Sequence, residues 1–407
     1  MKTFPFIASL WLMSGTVFIS TRNAVAATES VSENRTSDVA RGLTVGSDGI
    51  LRKDGKLFRA IGVNYFDAFL RHLADPKDTS YRQGFDALAK AKIPFVRMAG
   101  CGFWPANQML YRENPDEFFC RFDDVVKAAE ESGVGIIPSL FWLPAAVPDL
   151  VGEPLDQWAN PESKTRAYMR DYVRDIVARY RNSPAIWGWE FGNEYNLAAS
   201  LPNAAEHRPP IVPHLGTPDK RTERDELTYE IIRNAFAAFA QEVRKYDGYR
   251  MVTTGNSAPR ECAWHHWKEK SWTADTPEQF NEMLRGDNPD PMDVACIHAY
   301  GFSAEYLRDA VAAAQRLKKP LFLGEFGPAD GKEDREKFQA MVAAIEETHL
   351  PLAALWVYDY AGQDGSYNVT WTNGRSYQLK AVAEVNARTR EALGIADETA
   401  GALQRID

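Results

Sequence analysis

Two glutamates stand where an apolar run stops. Trp187-Gly188-Trp189-Glu190-Phe191-Gly192-Asn193-Glu194-Tyr195 reads as a short buried strand ending in an Asn-Glu pair, with a loop behind it. Far downstream, Pro320-Leu321-Phe322-Leu323-Gly324-Glu325-Phe326-Gly327 repeats the design. In an eight-stranded β/α barrel, the C-terminal ends of the strands carry the chemistry. Acetal hydrolysis needs a proton for the leaving oxygen and a negative group on the opposite side of the ring. Two carboxyls supply both, and in retaining enzymes they sit roughly 5–5.5 Å apart. We therefore expect Glu194 and Glu325 to face each other and to cleave a glycosidic bond. Either one alone reads equally well as a salt-bridged structural acid. Glu190, earlier on the same strand, is read as structural and pointing into the barrel.

To bring two strand ends together, the chain must close on itself. Eight strand patterns occur, at Ala60–Asn64, Phe95–Met98, Gly135–Leu140, Ile186–Phe191, Met251–Thr254, Val294–His298, Leu321–Glu325 and Ala354–Val357. Helical patterns lie between them near 80–91, 117–132, 164–181, 222–246, 304–318, 333–348 and 373–393, with a weaker one near 276–285. In Phe122-Asp123-Asp124-Val125-Val126-Lys127-Ala128-Ala129 the apolar residues share one helical face, and Gly133 marks the stop. This alternation predicts an α/β fold, a single (β/α)8 barrel over residues 44–395. An open doubly wound sheet would want a glycine-rich phosphate loop after its first strand, and Gly62-Val63-Asn64-Tyr65 is not one. Ahead of the barrel, Asp48-Gly49 and Asp54-Gly55 in an alternating pattern predict a β-hairpin that plugs its bottom. The long segments Ala198–Arg224 and Asn256–Glu278, after strands four and five, are expected to shape a binding groove.

At this point the chain resembles glycoside hydrolase family 5, in the large clan of retaining (β/α)8 glycosidases, over nearly all of residues 44–393. The resemblance makes Glu194, in the Asn193-Glu194 pair ending strand four, the acid/base, and Glu325, ending strand seven, the nucleophile. It also implies positioning or substrate-binding roles for Arg97 on strand two, for His298 and Tyr300 in His298-Ala299-Tyr300 on strand six, and for Trp356 ending strand eight. Asn193 would bond the sugar 2-hydroxyl. Each motif is weak alone; six in order, each at a strand end, are specific. Many members carry a histidine at the end of strand three, where this chain has Ser139-Leu140-Phe141-Trp142, so the sugar stays open. Trp189-Glu190-Phe191-Gly192-Asn193-Glu194 is most similar to the β-mannanase branch. The implied function is a retaining endo-β-glycosidase on β-1,4-linked polysaccharide, with mannan preferred. A β-1,4-glucanase, an exo-acting enzyme and a non-catalytic sugar-binding barrel are the alternatives.

The composition fits this reading. Eleven Trp, sixteen Tyr and twenty-one Phe offer faces for sugar rings, although any single one is more often core. Trp104, Trp142, Trp264 and Trp267 are the candidate platforms. A net charge of −9 argues against general nucleic-acid binding, which needs a basic surface. Residues 1–26 read as an export signal, from Lys2 through the apolar Phe4–Ile19 to Ala24-Val25-Ala26. Residues 27–43 read as a disordered linker and 396–407 as a flexible tail. A secreted or periplasmic monomer is expected, with no membrane span once the signal is removed. Export would permit disulfides; Cys101/Cys120 and Cys262/Cys296 close the shortest loops, and four free thiols are an equal alternative. The mechanism needs no cofactor or metal. His265-His266 are adjacent on the chain and would diverge rather than share an ion.

Overall fold

The computed structural model describes residues 41–395; the signal, most of the linker and the tail expected from the sequence lie outside them. A three-stranded antiparallel sheet comes first: β1 (Leu43–Val45), β2 (Leu51–Lys53) and β3 (Lys56–Leu57). The first strand thus already takes Leu43, which the sequence reading left in the linker. Leu43 and Leu51 are buried with Phe95, Ile137, Trp187, Met251, Phe322 and Leu352 in an apolar cluster, and Leu43 N donates to Trp187 O at 2.8 Å. The small sheet therefore stoppers the barrel from below.

The barrel strands are β4 (Ala60–Asn64), β5 (Phe95–Ala99), β6 (Gly135–Phe141), β7 (Gly188–Gly192), β8 (Met251–Thr253), β9 (Ala295–Tyr300), β10 (Leu321–Gly327) and β11 (Leu352–Leu355). They pair in parallel in the order β8-β7-β6-β5-β4-β11-β10-β9. Their near-continuous apolar runs follow from burial on both faces. The larger core lies between strands and helices, and includes Val63, Val96, Ile136, Trp189 and Leu323.

Between β8 and β9 the ring is closed by side chains as much as by backbone. Asn288 Oδ1 accepts from Thr254 Oγ1 at 3.0 Å and from Cys296 N at 2.9 Å. Asp293 N donates to Val252 O at 3.0 Å, and the Asp293 carboxylate takes Val252 N at 2.7 Å.

Seven of the eight expected helices appear within a few residues of their patterns. The one expected over 222–246 is shorter. It runs Tyr229–Arg244 because the Thr228 side chain caps it at Ile231 N, while Thr222 caps a separate short turn at Glu223–Asp225. Four short helices were not foreseen: Ala68–Ala74, Pro105–Glu113, Ala146–Val151 and Ala263–Glu269. All follow barrel strands and carry too few turns for a clear apolar period. All four cysteines are free thiols, so neither short-loop disulfide forms. Among the described residues no helix is long and apolar enough to cross a membrane.

Candidate active site

The strand alternation explains most of the site. On β5, Phe95 points into the lower core, so Arg97, two residues on, also points inward one layer higher. Asn64 on β4 and Glu190 on β7 meet Arg97 there, while His298 and, one layer higher, Tyr300 on β9 reach the two strand-end glutamates. Glu325 breaks the rule. Phe322 faces in, so simple alternation would place Gly324 inward and Glu325 outward. The β10–β9 register instead slips by one residue, pairing Leu323 with Ile297 and Glu325 with His298. This bulge turns Glu325 inward. It also needs glycine at 324, where a Cβ would come within 2.8 Å of His298 Nε2 and 3.0 Å of Cys296 Sγ.

Arg97 is the hub. It is fully buried, and its guanidinium donates from Nε to Glu190 Oε1 at 2.8 Å. Nη1 reaches Glu325 Oε1 at 2.8 Å and Asn64 Oδ1 at 3.0 Å, and Nη2 reaches Asn193 Oδ1 at 2.7 Å. The Trp142 ring lies 4.5 Å from the guanidinium carbon. The other oxygen of Glu325 accepts from Tyr300 Oη at 2.5 Å. Glu325 is thus held by a permanent cation and a phenol whose pKa burial pushes far up, so the phenol remains a donor.

Glu194 sits at the strand end with a left-handed backbone (φ 52°), its amide bonded to Gly255 O at 2.9 Å. Its side chain is 28% exposed, against 5% for Glu325. Burial raises its pKa, opposed by Arg97, Ser257 and Arg260. His298 Nδ1 lies 3.0 Å from Glu194 Oε1 and 3.5 Å from Glu325 Oε1. Burial drives the His298 pKa down to about 3, so the ring is neutral. Its buried Nε2 has no partner, which assigns the ring proton to Nδ1, facing the carboxylates.

One ligand atom from each of Glu194, His298 and Glu325 lies within 4.8 Å of the others. One oxygen of each carboxylate therefore faces the other across the mouth of the barrel. A cation among them would have to compete for Glu325 with Arg97 and Tyr300, which already occupy both of its oxygens. The arrangement suits proton transfer and nucleophilic attack better than metal binding. His265 and His266 do diverge: His265 Nδ1 meets Asp275 Oδ1 at 2.7 Å, and His266 Nε2 meets Cys262 Sγ at 3.0 Å.

The aromatic candidates separate. Trp356 is partly exposed, anchored by Nε1 to Gln363 Oε1 at 2.8 Å, and stacks 6.2 Å from Trp142 at 28°. Trp142 itself is only 5% exposed, caught between Arg97 and Trp356. It supports the site from beneath and offers no free face, which corrects its reading as a sugar platform. Trp104 is partly exposed beside Phe103, and Phe103 in turn packs on Phe66. Trp264 does not join this group. Its Nε1 donates to Glu282 Oε2 at 3.0 Å, and Trp267 likewise donates to Glu230 at 2.6 Å, so both are tied to neighbouring helices.

Sequence reasoning missed Asn64, Glu190's part in holding Arg97, and Phe66, whose ring touches Trp142, Trp356 and Tyr360. The signal for Asn64 was a polar residue ending an apolar strand, the same signal that marked Glu194.

The Cellulase (glycosyl hydrolase family 5) model matches residues 53–374. Among relatives, the chain is 25% identical over 225 residues to a probable mannan endo-1,4-beta-mannosidase C of Aspergillus terreus, covering 51% of this chain and 49% of that protein. It is 38% identical over 80 residues to mannan endo-1,4-beta-mannosidase F of Aspergillus clavatus, 18% of each chain. The chain thus spans about half the length, or less, of these relatives. In fold it is similar to the endo-1,4-beta-mannanase from Rhizomucor miehei, with a TM-score of 0.61 and 16% identity over 85% of this chain and all of the other. The exo-beta-1,4-mannosidase Op5Man5 from an Opitutaceae bacterium gives 0.57 and 17%, over 85% of this chain and 63% of that one. With the family model spanning well over half of the sequence and both strand-end glutamates inside the matched range, the chain belongs to glycosyl hydrolase family 5.

Proposed function

We propose that the protein hydrolyses β-1,4-linked mannan at internal bonds, outside the cell or in the periplasm, with retention of anomeric configuration. The single observation that carries this is the approach of the Glu194 and Glu325 carboxylates to within 4.8 Å. Glu325 attacks the anomeric carbon while Glu194 gives its proton to the departing glycosidic oxygen, leaving a glycosyl ester on Glu325. Water then attacks the same carbon, Glu194 takes the proton from it, and Glu325 leaves as carboxylate. Arg97 and Tyr300 each hold one oxygen of Glu325 and so aim the carboxylate. Burial keeps Glu194 protonated to a higher pH than a free glutamate. Asn193, held by Arg97, is placed to meet the sugar 2-hydroxyl. Trp356 offers its exposed face to the cleaved sugar and Trp104 to a more distant one.

Mannan is favoured over glucan by the mannosidase relatives and by the strand-four sequence Trp189-Glu190-Phe191-Gly192-Asn193-Glu194. The family description also covers cellulases, so cellulose derivatives are the counter-substrate. The test compares sugars released from mannan and from carboxymethyl cellulose, with proton NMR of the first product. Oligosaccharides from mannan bearing a β-anomer are expected. No release from mannan would end the mannanase reading, and an initial α-anomer would end double displacement. Glu325→Ala should abolish turnover while glycan binding survives; a non-catalytic sugar-binding barrel would instead show no turnover in the unaltered chain.

A further inference from the structure

Asp287 is buried, acidic and unused by the reaction as described. It ends the helix Pro277–Asp287 with no exposed surface. Its Oδ2 accepts from Asn196 Nδ2 at 2.9 Å, while Oδ1 has no hydrogen-bond partner and lies 3.9 Å from Arg233 Nη2. Burial pushes its pKa up to about 7, with Asn196 and Arg233 pulling the other way. Such a group is costly to keep in a protein interior, so what it holds is informative.

It holds Asn196, two residues beyond Glu194. The Asn196 amide pairs with both backbone groups of Ser257: Nδ2 donates to Ser257 O at 2.8 Å, and Oδ1 accepts from Ser257 N at 3.1 Å. Ser257 lies against Glu194, where its hydroxyl lowers the acid's pKa against burial and also reaches His298 O at 3.4 Å. The Glu194 amide is tied to Gly255, on the same segment. A side-chain amide is nearly symmetric in shape, so a flip of Asn196 would turn both Ser257 bonds into repulsions. Asp287 prevents the flip, because only Nδ2 can donate to it.

We infer that Asp287 is a positioning residue for Glu194, acting through Asn196 and Ser257 to hold the acid/base against the leaving oxygen. This rests on the role proposed above for Glu194. A positioning role predicts a loss that depends on how much the leaving group needs a proton. The test measures kcat/KM on two aryl β-mannobiosides, one releasing dinitrophenol, which departs unprotonated, and one releasing phenol, which needs the acid. Asp287→Leu removes the acceptor, whereas Asp287→Asn can still present one to Asn196.

With Asp287→Leu, the phenyl substrate should lose ~10-fold or more relative to the dinitrophenyl substrate, part of the ~10²–10⁴-fold that general acid catalysis supplies. Asp287→Asn should restore most of the loss. Equal loss on both substrates, no loss, or failure of Asp287→Asn to rescue would overturn the inference. If Asp287→Leu does not fold, Asn196→Ala, which removes the link between Asp287 and the Ser257 backbone, is read on the same pair: a leaving-group-dependent loss supports the relay, and an equal or absent loss overturns it. An unaltered chain inactive on both substrates would instead remove the proposed function. A leaving-group effect in Glu194→Ala but not in Asp287→Leu removes only the relay.

Discussion

Replacing Arg97 by methionine tests how the site is held together. The guanidinium is fully buried and neutralises two carboxylates at once, Glu190 and Glu325, each at 2.8 Å. Glu190 is itself fully buried, its Oε2 already lacks a hydrogen-bond partner, and burial raises its pKa. Methionine would fill most of the volume and leave both acids without a cation. Breaking a buried pair by removing one partner costs about 3–5 kcal/mol. For a domain of this size that is a drop in Tm of ~4–7 °C. The deficit should depend on pH. A carboxyl whose folded pKa is raised stabilises the fold at low pH, and that contribution fades as pH rises from the usual carboxylate range through the folded value. Without Arg97 the folded pKa of Glu190 rises further, so the variant suffers most near neutrality and recovers toward about pH 4.5, where a free glutamate begins to take up its proton. Urea or thermal unfolding of both proteins at the two pH values measures this. A deficit below ~1 kcal/mol, within the range of an exposed ion pair, would refute the reasoning. So would a deficit equal at both pH values.

Three further outcomes are expected. Tyr300→Phe removes the 2.5 Å bond to Glu325; a hydrogen bond to a charged group contributes about 1.5–3 kcal/mol, so kcat should fall roughly 10- to 100-fold with little change in Tm, and unchanged kcat would show the phenol to be idle. Gly324→Ala drives a methyl toward His298 Nε2 and Cys296 Sγ; overpacking of this kind costs ~1–3 kcal/mol, and a variant with native Tm and native activity would contradict the bulge geometry. Because burial raises the Glu194 pKa, activity requiring its proton should persist above the usual carboxylate range and fall as pH rises through the raised value. The alkaline limb of kcat/KM seen with a phenyl substrate should be absent with a dinitrophenyl one, whose leaving group needs no proton, and a limb that survives would assign it to another group.

Sequence alone determined the order of the eight strands and which of them end in acids, because both are local properties. An apolar run of five to seven residues with a polar terminus reads the same in any context, so Glu194 and Glu325 were legible from the residues themselves, whereas Arg97, His298 and Tyr300 entered only through the family resemblance. Tertiary structure decided what the local pattern leaves open. Inward rotation of Glu325 depends on a register slip against β9, a neighbouring strand, and alternation along β10 would have placed it outside. Burial of Trp142 under Trp356 and over Arg97, the tethering of Trp264 to Glu282, and the closing of the β8–β9 seam by Asn288 all join residues of different elements. So does the shared cation of Glu190 and Glu325. Composition and spacing select residue types, but which charges neutralise one another, and how deeply they are buried, is settled only when the ring of strands has closed.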